Sequence, residues 1–270
     1  MSDIYYFNCG GNAMQEWFLP GFSNYQILML GVCAFMVGIS KTGVPGLGIL
    51  VVSMMAMTFP AKASTGLLLL MLGAADIFAV AYYRRHAHWV LVLRLLPWAL
   101  AGIGAGSVVL RYLNDDQLRP VIGFIILAML AVNYWRQRRP ADTAGLPHHW
   151  LFAAVMGFTA GFTTQISNAA GPVMAIYLLA MQLPKNEYIG TGAWYFLILN
   201  WLKIPLFALD GRITMSAVRT DLAMLPLLAL GAGIGILILH KIPQRWFEVM
   251  IQLLALAAAL RLCWYITDFI

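Results

Sequence analysis

The sequence predicts an all-α membrane protein of about ten transmembrane or half-membrane helices, arranged as two inverted-topology repeats of five. Three observations carry that expectation. Of the 270 residues, 61% are hydrophobic and only 10% are charged, whereas a soluble domain carries about 25% charged residues. The apolar residues fall into ten segments, at about 26–42, 44–59, 63–83, 88–111, 117–135, 150–164, 170–182, 186–209, 214–239 and 244–266. Two polar, glycine-punctuated stretches, Gly38 to Gly48 and Gly161 to Gly171, interrupt matching apolar runs in the two halves. At membrane depth such breaks are tolerated only where protein or a watery cavity surrounds them, because lipid leaves backbone polar groups unpaired. Matched breaks in two halves are the best sequence pointer to a transporter's binding site.

Taken in chain order, residues 1–25 have neither the basic start nor the uninterrupted apolar core of a signal peptide. Their aromatic residues, Tyr5, Tyr6, Phe7, Trp17 and Phe18, suit a segment lying at the membrane interface. The first repeat is placed at 26–135. Segments one and two flank the first break and fall short of the roughly 20 residues of a simple span, so they read as half-helices or a re-entrant hairpin. Segments three to five read as spans, and Asp76 lies well inside the third. A polar linker, 136–149, carries Arg136, Arg138, Arg139, Pro140, Gly145 and Pro147. The second repeat, 150–266, runs in the same order: two short segments around a break, then three spans, with Asn200 and Lys203 in the first of these.

The match between halves extends beyond the breaks. Gly38 pairs with Gly161 and Gly48 with Gly171 at an offset of 123. Pro60, Gly66 and Asp76 pair with Pro184, Gly190 and Asn200 at 124. Pro97, Gly102, Gly104 and Gly106 pair with Pro226, Gly231, Gly233 and Gly235 at 129. An odd number of crossings per half inverts the second half relative to the first. Arg84, Arg85, Arg136, Arg138, Arg139, Lys185, Lys241 and Arg245 gather on one side, against Lys62, Arg111, Arg119 and Arg212 on the other. By the positive-inside rule the first side, with its linker, is cytoplasmic, and both termini face outward.

The 17 basic against 11 acidic residues therefore speak of orientation rather than of nucleic acid, for which Arg138 and Arg139 are too few. Cys9, Cys33 and Cys263 are isolated and suggest neither a metal site nor a disulfide framework. No P-loop, paired-carboxylate site or His-x-x-x-His helix is present, so the chain is expected to be no enzyme and to need no cofactor or metal.

The breaks themselves suggest an anion site. A half-helix beginning at mid-membrane exposes unpaired N–H groups and the positive end of its dipole. Gly43, Gly46 and Gly48 let backbone approach a small ligand, and Pro45 suits a first helical turn. Ser40, Lys41 and Thr42 add donors from the first break. Thr163, Thr164, Gln165, Ser167 and Asn168 add them from the second, where Ser167 and Asn168 are good N-cap residues. Neither break holds an acidic residue, which favours an oxyanion over a metal ion. Lys41 reads either as the site's cation or as a side chain snorkelling to headgroups. Asp76 either relays protons or pairs with a buried cation. Lys203 lies one turn beyond Asn200 on the same face, and either joins the site or snorkels. The spaced glycines at 102–106 and 231–235 read as helix-packing positions.

On these motifs, over about residues 26–265, the chain resembles the TauE/SafE family of membrane permeases. The resemblance implies export of sulfite, or of an organosulfonate such as sulfoacetate, across a bacterial inner membrane. Sulfite has two ionisation states near neutral pH, which suits proton coupling. Ser40-Lys41-Thr42, Thr163-Thr164-Gln165 and Ser167 to Ala170 stand where the family is usually richer in glycine and other small residues. The expected activity is a secondary transporter working by alternating access, with an anion channel as the alternative. Lys41 is expected to set affinity for charge, and Gln165, Ser167 and Asn168 to set selectivity.

Overall fold

A computed structural model describes residues 21–43, 46–138, 150–181 and 183–238. Among these residues the regular structure is entirely helical. The helices are α1 (Asn24–Thr42), α2 (Leu47–Thr58), α3 (Ala61–Tyr83), α4 (Trp89–Arg111), α5 (Asp115–Arg138), α6 (Trp150–Ser167), α7 (Gly171–Ala180), α8 (Lys185–Leu209) and α9 (Met215–Ile238), with a short 3-10 turn at Arg84–His86. They correspond to the first nine apolar segments. The expected tenth segment, nearly all of the interfacial 1–25 segment, Val44, Pro45 and linker residues 139–149 lie outside the described residues.

Among the described residues, five stretches are long and apolar enough to cross a membrane: Asn24–Thr42, Ala61–His86, Trp89–Arg111, Asn186–Leu209 and Met215–Leu237. At about 1.5 Å per residue, the 12 residues of α2 and the 10 of α7 fall well short of a hydrocarbon core about 30 Å thick. The segment preceding the first break, α1, is longer than expected at 19 residues and qualifies as a span by itself.

Local chemistry explains the ends. Ser23 and Gln26 form a reciprocal capping box that starts α1. Pro60 and Pro184 stand immediately before α3 and α8 with nearly the same backbone, φ −52° and −54°. Each carbonyl accepts from the fourth residue on, Ser64 and Tyr188, at 2.8 Å. Proline suits this position because it needs no amide acceptor there. Pro97 and Pro226 sit inside α4 and α9, where each leaves one carbonyl of the preceding turn without its helical donor.

The helices pack crosswise between the halves. The most extensive pairings join α1 to α9, α4 to α6 and α3 to α8. Glycines make the first two close. A Cβ on Gly38 would overlap the carbonyl oxygen of Leu228, and one on Gly161 would overlap that of Ala99. Gly231 meets Phe35 and Gly102 meets Phe158, while Gly235 meets Thr42 and Gly106 meets Gln165. Each of these three contacts on α1 thus has its counterpart on α6, displaced by 123 residues. Gly104 and Gly233 face open space, which corrects the expectation that all six spaced glycines pack. One continuous apolar core, from Leu30 of α1 to Leu228 of α9, draws on both halves.

Candidate functional site

Both breaks open onto one cavity of about 150 Å³. A single water needs only about 10–15 Å³ by the same measure, so the space admits a small anion together with solvent. The first break contributes Ser40, Lys41, Gly43, Gly46 and Gly48. The second contributes Thr164, Asn168, Ala169, Gly171 and Pro172, and α8 adds Gly192, Ala193, Phe196 and Asn200.

Each break is a helix end followed by a new start. After Thr42, the Gly43 amide closes α1 on the Ile39 carbonyl at 2.9 Å. Gly46 then takes φ +117°, a conformation open to glycine and strained for residues with a Cβ, and α2 begins at Leu47. In the second break Asn168 takes φ +57°, the left-handed conformation that asparagine tolerates best after glycine, and α7 begins at Gly171. The first amides of α2 and α7 lack acceptors within their own helices. Gly48 and Gly171 bring those two helix starts to the cavity wall.

The N-cap expectation for Ser167 and Asn168 is corrected. Ser167 Oγ donates back to the Thr163 carbonyl at 3.0 Å, so it belongs to the end of α6. Asn168 bridges sideways: its Nδ2 donates to the Thr65 carbonyl of α3 at 2.9 Å, and its Oδ1 accepts from Lys203 at 2.8 Å.

The ionisable groups turn inward rather than snorkelling. Lys41 Nζ lies 2.7 Å from Asp76 Oδ1 and 4.2 Å from the centre of the Phe196 ring, a cation–π arrangement. Asp76 is fully buried, and its Oδ2 accepts from Asn200 Nδ2 at 2.7 Å. Asp76 and Asn200, matched at an offset of 124, are thus bonded to each other. Lys203 is also fully buried. Its ammonium donates to the Thr164 carbonyl at 2.9 Å, to Thr164 Oγ1 at 2.8 Å and to Asn168 Oδ1. All three of its donors are therefore used.

Of the expected site residues, Ser40, Lys41, Gly43, Gly46, Gly48, Thr164, Asn168 and Asn200 line the cavity. Asp76 and Lys203 stand behind them, bonded to lining residues. Thr42, Thr163, Gln165 and Ser167 do not line it. Thr42 Oγ1 donates to the Ala232 carbonyl of α9 at 2.8 Å. Thr163 donates to the Thr159 carbonyl of its own helix at 2.8 Å. Gln165 Nε2 donates to Ser107 Oγ of α4 at 2.8 Å.

Three features escaped the sequence reading. Phe196 lies one turn before Asn200, and that spacing is a usable signal. Thr65 and Ser107, which hold the second break, give none. Asp221, within α9, is buried and neither carboxylate oxygen has a hydrogen-bond partner among the described residues; its position inside an apolar span was legible. Among the described residues no group of His, Cys, Asp or Glu is placed to hold a metal.

A family model described as "Sulfite exporter TauE/SafE" matches residues 30–262. No curated protein and no solved structure matches the chain.

Proposed function

The chain belongs to the sulfite exporter TauE/SafE family, a family of membrane transporters, and on that premise we propose that it exports a small sulfur oxyanion, sulfite or an organosulfonate such as sulfoacetate, by proton-coupled alternating access at the cavity between the breaks. The observation that carries the reading is that both breaks line one cavity with Lys41 at its wall. Two helix starts offer amides to the oxygens of the ligand. Lys41, Thr164, Asn168 and Asn200 offer side-chain donors, and the apolar walls keep those donors effective. The Lys41 ammonium at the cavity wall favours an anion.

Alternating access requires two halves that exchange positions about a fixed site. The crossed pairings of α1 with α9 and α4 with α6, with their matched glycine contacts, support two repeats at 26–135 and 150–266 joined by a cytoplasmic linker; an odd number of crossings in each makes them inverted. The basic loops support a multi-pass orientation in a bacterial inner membrane with residues 84–88 in the cytoplasm and both termini in the periplasm. Asp76 is the candidate for proton coupling, since it is a carboxylate in direct contact with the cavity's cation.

Thermal unfolding of the detergent-solubilised protein tests this. Sulfite or sulfoacetate at 100 times its dissociation constant should stabilise the protein by about 2.7 kcal/mol, and Lys41→Ala should abolish the shift. The absence of stabilisation by any sulfur oxyanion would overturn the substrate assignment. In liposomes the flux should saturate and respond to a proton gradient; a flux that does neither indicates the channel.

A further inference from the structure

We propose that Asp76 is a built-in anion that competes with the transported anion for Lys41, so that each anion bound is accompanied by one proton taken up on Asp76. The inference rests on the reading of the cavity as an anion site and states how that site is regulated.

Lys41 belongs to two environments at once. Its side chain lines the cavity and keeps 14% of its surface exposed, whereas Asp76, 2.7 Å from its ammonium, is fully buried and does not line the cavity. A ligand entering the cavity can therefore reach Lys41 but not Asp76. With Asp76 ionised, the ammonium already has its counter-ion, and an arriving sulfonate gains little from it. With Asp76 neutral, Lys41 is an uncompensated cation facing the cavity, and an anion is the group that satisfies it.

The surroundings can hold Asp76 in either state. Among the described residues, the polar and charged groups that act on it are Lys41 of α1 and, from α8, Asn200 and Lys203. Helices α2, α5 and α9 also pack on α3, and among the described residues none of them brings Asp76 a hydrogen bond or ion pair. Asn200 Nδ2 donates to the carboxylate, while Asn200 Oδ1 is buried with no partner. An amide carries donors on one side and an acceptor on the other. Rotation of the Asn200 amide by half a turn presents Oδ1 to Asp76, where it accepts the O–H of the neutral acid. The exchange is balanced: Lys41 passes from Asp76 to the anion, a proton from water passes to Asp76, and Asn200 changes from donor to acceptor. Lys203 takes no part, since its three donors remain on Thr164 and Asn168.

Binding of methanesulfonate, which stays a monoanion throughout neutral pH, tests the proposal, because any pH dependence then belongs to the protein. Affinity of the unaltered protein should fall about tenfold per pH unit as Asp76 loses its proton. Binding in weakly buffered detergent solution should take up one proton per anion, as reciprocity between the two ligands requires. Asp76→Asn should bind at least tenfold more tightly than the unaltered protein at the high-pH end of this range, with no pH dependence. Asn at this position can still bond to the Asn200 amide. Should the variant fail to fold, proton uptake by the unaltered protein decides alone. Binding that takes up no proton, or an Asp76→Asn variant that binds no more tightly, overturns the competition while leaving the anion site intact. No binding to either protein at any pH overturns the anion site itself, and the competition with it.

Discussion

At the scale of single residues, adjacent side chains in each break have opposite fates. Lys41 and Thr164 occupy matched positions and face the cavity; Thr42 and Gln165, one residue on, face α9 and α4. Neighbours on a helix point about 100° apart, so a run of polar residues cannot all reach one ligand. Thr42→Val should therefore cost about 1 kcal/mol for its lost hydrogen bond and leave the stabilisation by sulfite unchanged, as measured by thermal unfolding with and without the anion. Asn168 should be far more sensitive. Replacing it with Ala removes one ordinary and one charge-assisted hydrogen bond, about 2–4 kcal/mol together. Ala at φ +57° also carries left-handed strain of about 1–2 kcal/mol that Gly avoids. Denaturation in detergent should accordingly rank Asn168→Gly above Asn168→Ala, and equal losses in the two would argue against the strain. The residue types at both breaks were legible, and so was the phase that separates them. The reach of Lys203 back to Thr164 across 39 residues was not, because a tertiary contact leaves no local pattern in the sequence.

At the scale of elements, close approach of α1 to α9 and of α4 to α6 depends on glycine. Within membranes small residues let helix backbones meet, and there is no hydrophobic drive between helices to replace that contact. Ala at Gly38 or at Gly161 would overlap a backbone carbonyl of the facing helix, and overpacking of this kind costs about 1–3 kcal/mol. Gly104 and Gly233 meet nothing within 4 Å, so Ala there should be neutral or stabilising by up to about 1 kcal/mol. Melting temperatures of the four variants in detergent should separate into those two pairs; a Gly104→Ala variant as damaged as Gly161→Ala would refute the packing argument. Helical periodicity separates these positions in the sequence already. Gly102 and Gly106 are one turn apart and share a face, while Gly104 lies on the opposite one. The apolar runs located the nine described helices closely, because lipid demands a nearly unbroken apolar surface along a span. The ends of α2 and α7 were harder to read, since a buried half-helix is bounded by tertiary contacts rather than by the bilayer.

At the scale of the whole molecule, inversion makes a prediction that a parallel duplication does not. The turn after α3, at 84–88, and the turn after α8, at 210–214, occupy the same place in the two proposed repeats. In a parallel repeat both would face one side of the membrane; in an inverted repeat they face opposite sides. Arg85 is exposed in the first turn, and Met215, exposed at the start of α9, adjoins the second. In a variant freed of Cys9, Cys33 and Cys263, Arg85→Cys should react with a membrane-impermeant maleimide only from the cytoplasmic side, and Met215→Cys only from the outside. Reaction of both from one side would require an even number of crossings between them and would remove the inversion. Reaction on opposite sides but with the sidedness exchanged would keep the inversion and reverse the orientation drawn from the basic loops. The distinction matters for function because Asp76 and Asn200 are matched residues bonded to each other. Under inversion their contact lies where the two halves meet. A rocking of one half against the other then bears directly on the carboxylate that holds Lys41.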